Sequence, residues 1–299
     1  MTWTTADIPS QSGRTALVTG VSLGGIGHHT ALELARAGAR VVLAGRNPDR
    51  LADAERVIRE HVPDADLRRL EIDLASLSSV RRAAAEVEEP LDLLVNNAGV
   101  MAPPYSVTED GFESQLATNH LGPFLLTELL LPQMRSGGRV VTVSSQMHRL
   151  ARHAPLGDPR ERPRRYLRWI VYSQTKLANL LFTFELDRRL VAARRPVKAL
   201  AAHPGYAGTH LVVNGRFGRP SGGRASMLDA LNRRVSQSPT AGAWPTLMAA
   251  TAGLPGSTYC GPSGPGEAYG PPVVVGCTRL ARDPDTARRL WDLSEHVTR

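Results

Sequence analysis

Short apolar runs alternate along this chain with segments whose apolar residues recur at helical spacing. The apolar runs predict strands at residues 15–19, 40–45, 67–72, 91–95, 138–143, 197–203 and 272–275. The intervening patterns predict helices, the clearest at residues 28–38, 76–88, 240–252 and 284–296. Strands that alternate with helices indicate one α/β domain, a doubly wound parallel sheet of about seven strands with its ligand crevice at the carboxyl ends.

Four stretches lack such a period. Residues 1–12 form a polar N-terminal extension to a single domain at 13–299, and residues 149–168 form an Arg-rich insertion. Residues 210–240 are glycine-rich and are predicted to be a substrate lid that passes into a helix at 225–235. Residues 259–266 are predicted to be a loop.

A glycine cluster follows the first predicted strand, in the run Gly20-Val-Ser-Leu-Gly24-Gly25-Ile-Gly27. Strand, glycine turn and helix is the context that a dinucleotide-binding motif requires. The glycines let the backbone approach a pyrophosphate, and the helix N-terminus offers free N–H groups and its dipole. The alternative is a tight turn that binds no ligand.

The end of the second strand bears on the choice of cofactor. A site for NAD usually places Asp or Glu there for the ribose hydroxyls. This strand instead ends in Arg46, whose planar fork of donors suits a 2′-phosphate. Asn47, Pro48 and Asp49 are explained by the start of a helix. The sequence therefore favours NADP(H) over NAD(H).

Polar residues also follow the third and fourth strands. Asp73 is placed to accept from an adenine amino group, or belongs simply to the N-cap region of the next helix. Asn96 and Asn97 can tie neighbouring strands together, while Ala98 and Gly99 leave room for a ligand.

Tyr172 and Lys176 are four residues apart in a predicted helix and therefore share one face. An ammonium close to a phenol favours the phenolate and draws the tyrosine pKa down toward neutrality. Such a pair can donate or accept a proton in catalysis. Alone, the spacing is equally compatible with an interfacial tyrosine and a solvated lysine.

The order of these motifs resembles the short-chain dehydrogenase/reductase family, which has a Rossmann fold. The markers are Thr19-Gly20, Gly25-Ile26-Gly27, Asp73, Asn96-Asn97-Ala98-Gly99, Asn119, Ser144-Ser145, Tyr172, Lys176 and Pro204-Gly205. The texture of residues 118–132 and 172–179 is most similar to the branch of retinol dehydrogenases and their soluble bacterial relatives.

The resemblance implies a catalytic tetrad. Tyr172 is then the acid or base, Lys176 lowers its pKa and holds the nicotinamide ribose, and Ser145 bonds the substrate oxygen. Asn119, in a helix begun near Thr108, would support a proton relay from a distorted backbone, or is a core amide. Because strand alternation lets only one of two serines face the cleft, Ser144 is expected to be structural.

The resemblance and the residue patterns together place a second set of residues around NADP(H). The set is Gly20, Ser22, Leu23, Gly25, Ile26, Gly27, Arg46, Asn47, Asp73, Leu74, Asn97, Ala98, Gly99, Tyr172, Lys176, Pro204, Gly205 and Thr209. His203 precedes the Pro-Gly pair, and a packed histidine is favoured there over an extra base.

Two departures from the family pattern affect these expectations. The glycine turn contains one extra residue, so we expect a bulged loop with Gly25-Ile26-Gly27 in place. The Arg-rich insertion lengthens the connection between Ser145 and Tyr172. It is either a solvated cationic loop or a docking surface for an anionic carrier, such as an acyl carrier protein or a coenzyme A tail.

Composition limits the classes of ligand, partner and cellular compartment that the chain is expected to have. With 42% hydrophobic residues the chain can bury a core, and its net charge of +8 allows an anionic ligand. Only 5% aromatic residues and no recognition motif give nucleic-acid binding little support. Two cysteines without a CxxC pair, a polar N-terminus and no long apolar run predict a cytoplasmic protein without a membrane span or metal site.

These patterns predict an NADP(H)-dependent oxidoreductase that interconverts a ketone or aldehyde and an alcohol on a small, apolar metabolite. The alternatives are a non-catalytic NADP-binding regulator, a ketoreductase for carrier-bound acyl or polyketide substrates, and reduction or dehydration of another bond on this scaffold. The resemblance implies a homodimer or homotetramer that pairs through the family's fourth and fifth helices, which here include Asn119 and Tyr172.

Overall fold

A single eight-stranded sheet runs through the computed structural model, which describes residues 2–162, 164–206 and 237–299. The strands are β1 Thr15–Thr19, β2 Arg40–Gly45, β3 Leu67–Glu71, β4 Leu91–Asn96, β5 Met134–Val143, β6 Lys198–Ala202, β7 Tyr259–Pro262 and β8 Pro272–Val274. Their order is β3-β2-β1-β4-β5-β6-β7-β8, and every neighbouring pair is parallel except β7 and β8. The order reverses between β1 and β4, which is where open α/β sheets bind ligands.

The described helices cover both faces of this sheet. They are α1 Ile26–Arg36, α2 Pro48–His61, α3 Leu77–Glu86, α4 Ser114–Leu116, α5 Gly122–Leu130, α6 Arg168–Ala192, α7 Pro239–Thr251 and α8 Pro284–Thr298. A π-helical segment, Ala117–Leu121, joins α4 to α5. The start of α2 confirms the predicted cap, since the Asn47 carboxamide accepts from the Arg50 amide at 2.9 Å and Pro48 is the first helical residue.

Successive residues of the central strands pack into two hydrophobic layers, one on each face of the sheet. Val18 of β1 packs with residues of α1, α2 and α7, such as Leu34, Ile58 and Leu247. Its neighbour Leu17 packs on the opposite face with residues of α3, α5, α6 and α8. Both side chains are fully buried. Because helices cover both faces of the sheet, the sequences of its central strands are continuous apolar runs, as in other parallel sheets.

Two predicted elements were wrong. Residues 259–266 are not wholly a loop, because Tyr259–Pro262 form β7, which pairs with β6 and then antiparallel with β8. The sheet therefore has eight strands and not seven. The glycine and proline content of this segment concealed a strand that is only four residues long.

The helix expected to begin near Thr108 begins at Ser114. Gly111 adopts a φ of +85° and closes a turn on the Thr108 carbonyl, so the backbone cannot continue as a helix there. The Glu113 carboxylate then caps the chain by accepting from the amides of Gln115 and Leu116.

The C-terminal helix α8 lies against α6 and α5. Trp291 stacks on Phe182 with ring centroids 5.8 Å apart and meets Phe124 edge-on at 5.0 Å. These are the helices through which the resemblance predicts pairing of two copies, so α8 occupies part of that surface. The homo-oligomer stays a prediction.

In the part of the chain that the structure describes, none of the helices combines the length and the apolarity needed to cross a bilayer. Thr209 and residues 210–236 of the predicted lid, including its helix, lie outside the described residues. Ser238 caps α7 by accepting from the Ala241 amide.

Candidate functional site

The glycine turn lies between β1 and α1 and brings the backbone close to the β4 end. Gly20 has a φ of +75°, and a Cβ there would come within 2.8 Å of the Ala98 Cα. The extra residue is absorbed in a turn at Leu23–Gly24, where the Gly25 amide bonds the Ser22 carbonyl at 3.0 Å. Gly25 is the N-cap of α1, so the bulge ends before Ile26 and Gly27, as predicted.

The N-terminus of α1 has the donors that an anion requires. Gly25 offers no side-chain cap, which leaves the first-turn N–H groups of α1 available to a ligand. These groups and the helix dipole suit a pyrophosphate. The residues present therefore fit the phosphate portion of a dinucleotide.

Asn97 and Thr19 tie the carboxyl ends of β4 and β1 together. The Thr19 hydroxyl accepts from the amides of Asn97 and Ala98, both at 3.0 Å, and the Asn97 carboxamide donates to the Thr19 carbonyl at 2.8 Å. Asn96 points to the other side, where it donates to the buried Thr127 hydroxyl at 2.9 Å. In the sequence Thr19 served only as a marker of the family resemblance. In the structure its hydroxyl accepts hydrogen bonds from two backbone amides.

Arg46 and Asp73 lie side by side at the ends of β2 and β3. The Arg46 guanidinium is 3.8 Å from Asp73 Oδ2, and 75% of the Arg46 side chain is exposed. Asp73 Oδ1 accepts from the Ala75 amide at 2.9 Å, so one carboxylate oxygen shapes the turn before α3. Buried Leu74 continues that turn, and its carbonyl lies against Gly122 of α5.

Tyr172 and Lys176 lie on one face of α6 and are both buried. The Lys176 ammonium is 5.7 Å from the centroid of the Tyr172 ring and donates to the Val143 carbonyl at 3.1 Å. That carbonyl ends β5, directly before the two serines. A Cβ on Gly99 would lie 3.5 Å from the Lys176 ammonium nitrogen, so the glycine keeps the approach to the lysine open.

Burial sets the protonation of this pair. It raises the pKa of Tyr172 to about 12, with a hydrogen bond to Ser145 acting in the opposite direction. It lowers the pKa of Lys176 to about 8. The Tyr172 pKa thus lies above its ordinary value and not nearer neutrality, because burial is the largest influence on it. The proposed effect of Lys176 on Tyr172 stays a prediction. At neutral pH the phenol keeps its proton.

The two serines after β5 face different ways. Ser144 is buried, and its hydroxyl donates to the Lys176 carbonyl at 2.7 Å, which fits the predicted structural role. Ser145 is partly exposed beside Tyr172 and caps the short 3₁₀ helix Gln146–Leu150 by accepting from the Met147 amide at 3.2 Å.

Asn119 lies inside the π-helical segment, so the backbone distortion that the resemblance implied is present. Its carboxamide oxygen accepts from the Val100 amide at 2.7 Å, and its nitrogen donates to the Val100 carbonyl and the Thr175 hydroxyl. The Thr175 hydroxyl donates in turn to the Tyr172 carbonyl at 2.8 Å. Asn119 thus ties the loop after β4 to the Tyr172 helix.

After β6 the chain passes through His203, Pro204 and Gly205. His203 is fully buried, and burial with the nearby charges of His148 and Arg149 lowers its pKa to about 3. The histidine is therefore packed and neutral, as favoured from the sequence. The Pro204 carbonyl accepts from Gln237 at 2.7 Å, and Gly205 has a φ of +67°.

The Arg-rich insertion is anchored by residues that the sequence patterns did not single out. The Tyr166 hydroxyl donates to Glu113 at 2.9 Å and accepts from Gln115 at 2.6 Å. Arg162 lies over the Tyr105 ring, and Arg160 lies over Phe112. Composition marked the two arginines, but neither composition nor spacing marked Tyr105, Phe112, Glu113, Gln115 or Tyr166, because each contacts a partner distant in sequence.

The site brings together a protonated phenol, a hydroxyl, a buried amine and a glycine turn at a helix N-terminus. Such an arrangement can deliver a proton to an oxygen whose carbon receives a hydride. Among the described residues no cluster of His, Cys, Asp or Glu could hold a metal ion.

Comparison with known proteins identifies relatives of the whole chain. Residues 14–155 match the model of the family described as short chain dehydrogenase. The chain is 39% identical over 297 residues to polyprenol dehydrogenase of Mus musculus, which covers 95% of this chain and 83% of that protein.

It is also 45% identical over 204 residues to human retinol dehydrogenase 13, covering 67% of this chain and 60% of the relative. Thus this match spans less than two thirds of that protein's length. A solved structure of an uncharacterised protein from Mycobacterium paratuberculosis is 45% identical, covers 100% of this chain and 98% of that one, and superimposes with a TM-score of 0.83.

Proposed function

The chain belongs to the short chain dehydrogenase family, and from this premise we propose that it is an NAD(P)-dependent carbonyl/alcohol oxidoreductase with the cofactor, catalytic residues and substrate class given below. The proposal is that NADP(H) serves the interconversion of a ketone or aldehyde and an alcohol on a small, apolar metabolite. We propose that Tyr172 is the acid or base, and that residues 13–299 act as one domain.

The observation that carries this proposal is the convergence of Ser145, Tyr172 and Lys176 at the carboxyl end of β5. Ser145 follows the strand and lies beside Tyr172, while Lys176 bonds the Val143 carbonyl at 3.1 Å. Two chain segments, the end of β5 and the helix α6, thus bring a hydroxyl, a phenol and an amine to one place beside the glycine turn. A binding protein that only sensed the cofactor would have no need of this set.

In the proposed mechanism the protein supplies the proton and positions the oxygen. Tyr172, whose pKa burial raises to about 12, holds its proton at neutral pH and can donate it to the substrate oxygen. The Ser145 hydroxyl would bond that oxygen and stabilise the negative charge that develops on it. When bound, the nicotinamide would supply or accept the hydride.

Lys176 supports this transfer through its charge. Because burial lowers its pKa to about 8, the amine is largely charged at pH 7 and loses that charge as the pH rises through 8. The ammonium would stabilise negative charge on the Tyr172 oxygen after proton donation and hold the ribose hydroxyls. Asn119 would keep α6 in register with the loop after β4 through Thr175.

NADP(H) is proposed over NAD(H) because Arg46 is the charged side chain at the end of β2. Its guanidinium is 75% exposed and next to Asp73, so it is free to turn toward a 2′-phosphate while Asp73 remains near the adenine side. The first turn of α1 would hold the pyrophosphate, and Asn97, Ala98, Gly99, Pro204 and Gly205 would line the remainder of the cofactor.

An apolar substrate is proposed because the two relatives, a retinol dehydrogenase and a polyprenol dehydrogenase, are named for apolar alcohols. The Arg-rich insertion keeps open a variant in which the carbonyl is carried by an anionic carrier. Both versions keep the same chemistry at Tyr172.

A turnover panel tests the proposal. The purified protein is mixed with NADPH or NADH and a series of apolar aldehydes and ketones, and both cofactor absorbance and product alcohol are measured. We expect stoichiometric alcohol formation, faster with NADPH, and higher specificity for the longer apolar carbonyls. Cofactor binding without turnover of any free or carrier-linked carbonyl would instead support a non-catalytic regulator.

A further inference from the structure

The loop at residues 263–271 joins β7 to β8 and contacts two separate parts of the candidate site. One contact is with the segment after β6, where Pro204 and Gly205 are the described part of the loop proposed to hold the nicotinamide, called here the nicotinamide loop. The other is with the 3₁₀ helix Gln146–Leu150, whose N-cap is Ser145. A single side chain of this β7–β8 loop, Glu267, reaches both.

On the nicotinamide side, the chain is fastened to the β7–β8 loop by backbone and side-chain bonds. The Tyr206 amide donates to the Ala268 carbonyl at 2.7 Å. The Gly205 amide donates to His203 Nδ1 at 3.2 Å, so the ring proton is on Nε2, which donates to Glu267 Oε2 at 3.0 Å. Gly205 packs so closely that a Cβ would lie 2.4 Å from the Ala268 carbonyl oxygen.

On the Ser145 side, two residues of the 3₁₀ helix reach the same carboxylate. Arg149 donates to Glu267 Oε1 at 3.1 Å, and the Gln146 carboxamide donates to Glu267 Oε2. Arg149 also donates to the Gln146 oxygen at 2.8 Å. Glu267 thus accepts from three donors on two chain segments that carry different parts of the site.

The surroundings are shaped for this carboxylate. Glu267 has a φ of +55°, in the left-handed region that L residues other than Asn and Asp seldom adopt. Such strain persists only where the surrounding contacts over-determine it. The His203 ring fills the space over Gly261, where a Cβ would lie 2.0 Å from Nε2, so the imidazole can lie there only because residue 261 is glycine.

We propose that Glu267 is a positioning residue that sets the distance between the Ser145 hydroxyl and the nicotinamide loop. The inference rests on the proposed function, because it assigns Pro204 and Gly205 to the nicotinamide end of the cofactor. Through Gln146 and Arg149 the carboxylate fixes the Ser145 helix, and through His203 it fixes the backbone at Gly205. The carboxylate itself touches neither substrate nor cofactor.

Binding of two probes separates this role from a general structural one. NADPH spans both ends of the cleft, whereas adenosine 2′,5′-bisphosphate reaches only the Arg46 end. We expect Glu267→Ala to weaken NADPH about tenfold and to lower kcat for carbonyl reduction about tenfold, with the affinity for the bisphosphate unchanged. Glu267→Gln, which keeps one acceptor oxygen, should fall between the alanine variant and the wild type.

A second variant keeps the test decisive if Glu267→Ala does not fold. Gln146→Ala removes a hydrogen bond between the Ser145 helix and Glu267 and keeps the bond between His203 and Glu267. We therefore expect it to lower kcat severalfold while NADPH affinity stays within about twofold of the wild type. Glu295→Ala is the control and should change neither quantity, because this partly exposed carboxylate of α8 pairs with Arg299.

Unchanged NADPH affinity and kcat in both the Glu267 and the Gln146 variants would overturn the proposal, as would an equal loss of affinity for NADPH and the bisphosphate. If the wild type itself bound neither probe, the proposed function would fail first. The two failures are therefore distinguishable.

Discussion

At the scale of single residues, the site depends on how burial acts on Tyr172 and Lys176. The spacing predicted correctly that they share a face of one helix, but it could not predict the extent of their desolvation. That depends on the end of β5 and the loop after β4 packing against this part of α6, and burial raises the phenol pKa to about 12. At neutral pH the Tyr172 phenol therefore holds a proton that it can donate.

We predict that Arg46 alone decides the preference between NADPH and NADH. Replacing Arg46 with Asp should weaken NADPH about 10- to 100-fold, because charge-assisted bonds to a phosphate are lost and a repelling charge is added. NADH binding should change little. The measurement is fluorescence titration with both cofactors.

Arg50→Asp provides the matched control for Arg46, since Arg50 is an exposed arginine in the first turn of the same helix region. Equal weakening of NADPH and NADH by Arg46→Asp, or equal effects of the two substitutions, would remove the 2′-phosphate assignment.

At the scale of elements, α6 is enclosed on nearly every side, and α8 is one of the elements that enclose it. Trp291 of α8 is 5% exposed, stacks on Phe182 and lies 4.4 Å below the Arg189 guanidinium. The sequence predicted α8 itself from its helical pattern. Its docking on the catalytic helix depends on contacts between residues more than a hundred positions apart, which periodicity cannot encode.

Trp291→Ala should lower the free energy of unfolding by about 3–5 kcal/mol, because it removes a buried aromatic side chain and leaves a cavity beside α6. Urea unfolding measures the loss. Trp169, which is 42% exposed at the start of α6, is the control, and its replacement by Ala should cost less than about 1 kcal/mol. Similar losses at both positions would contradict the enclosed packing of α6.

Local signals succeeded for elements whose ends are capped by neighbouring residues. Asn47 and Pro48 set the start of α2, and Gly25 sets the start of α1. Local signals failed where the conformation of a segment depends on a contact with residues distant in sequence. The Val107–Gly111 segment takes a turn that is held partly by Asp110, which accepts from the Leu77 amide of α3. β7 is a strand only because β6 and β8 lie beside it.

At the scale of the whole molecule, motifs that are far apart along the chain lie together at one edge of one sheet. The glycine turn, Asn97, Ser145 and Gly205 follow β1, β4, β5 and β6, four neighbouring strands whose carboxyl ends meet. The doubly wound fold class could therefore be read from the alternation of strands and helices. The antiparallel hairpin of β7 and β8, which brings Glu267 to the site, could not.

The central claim is that Tyr172 gives the proton while a carbonyl is reduced. Single-turnover mixing of the NADPH-loaded protein with a ketone that it turns over measures this step directly. Tyr172→Phe should bind NADPH like the wild type but reduce the ketone about 100-fold or more slowly. Tyr259→Phe, at another buried tyrosine, should keep the wild-type rate. An undiminished rate in Tyr172→Phe with intact NADPH binding would contradict the account.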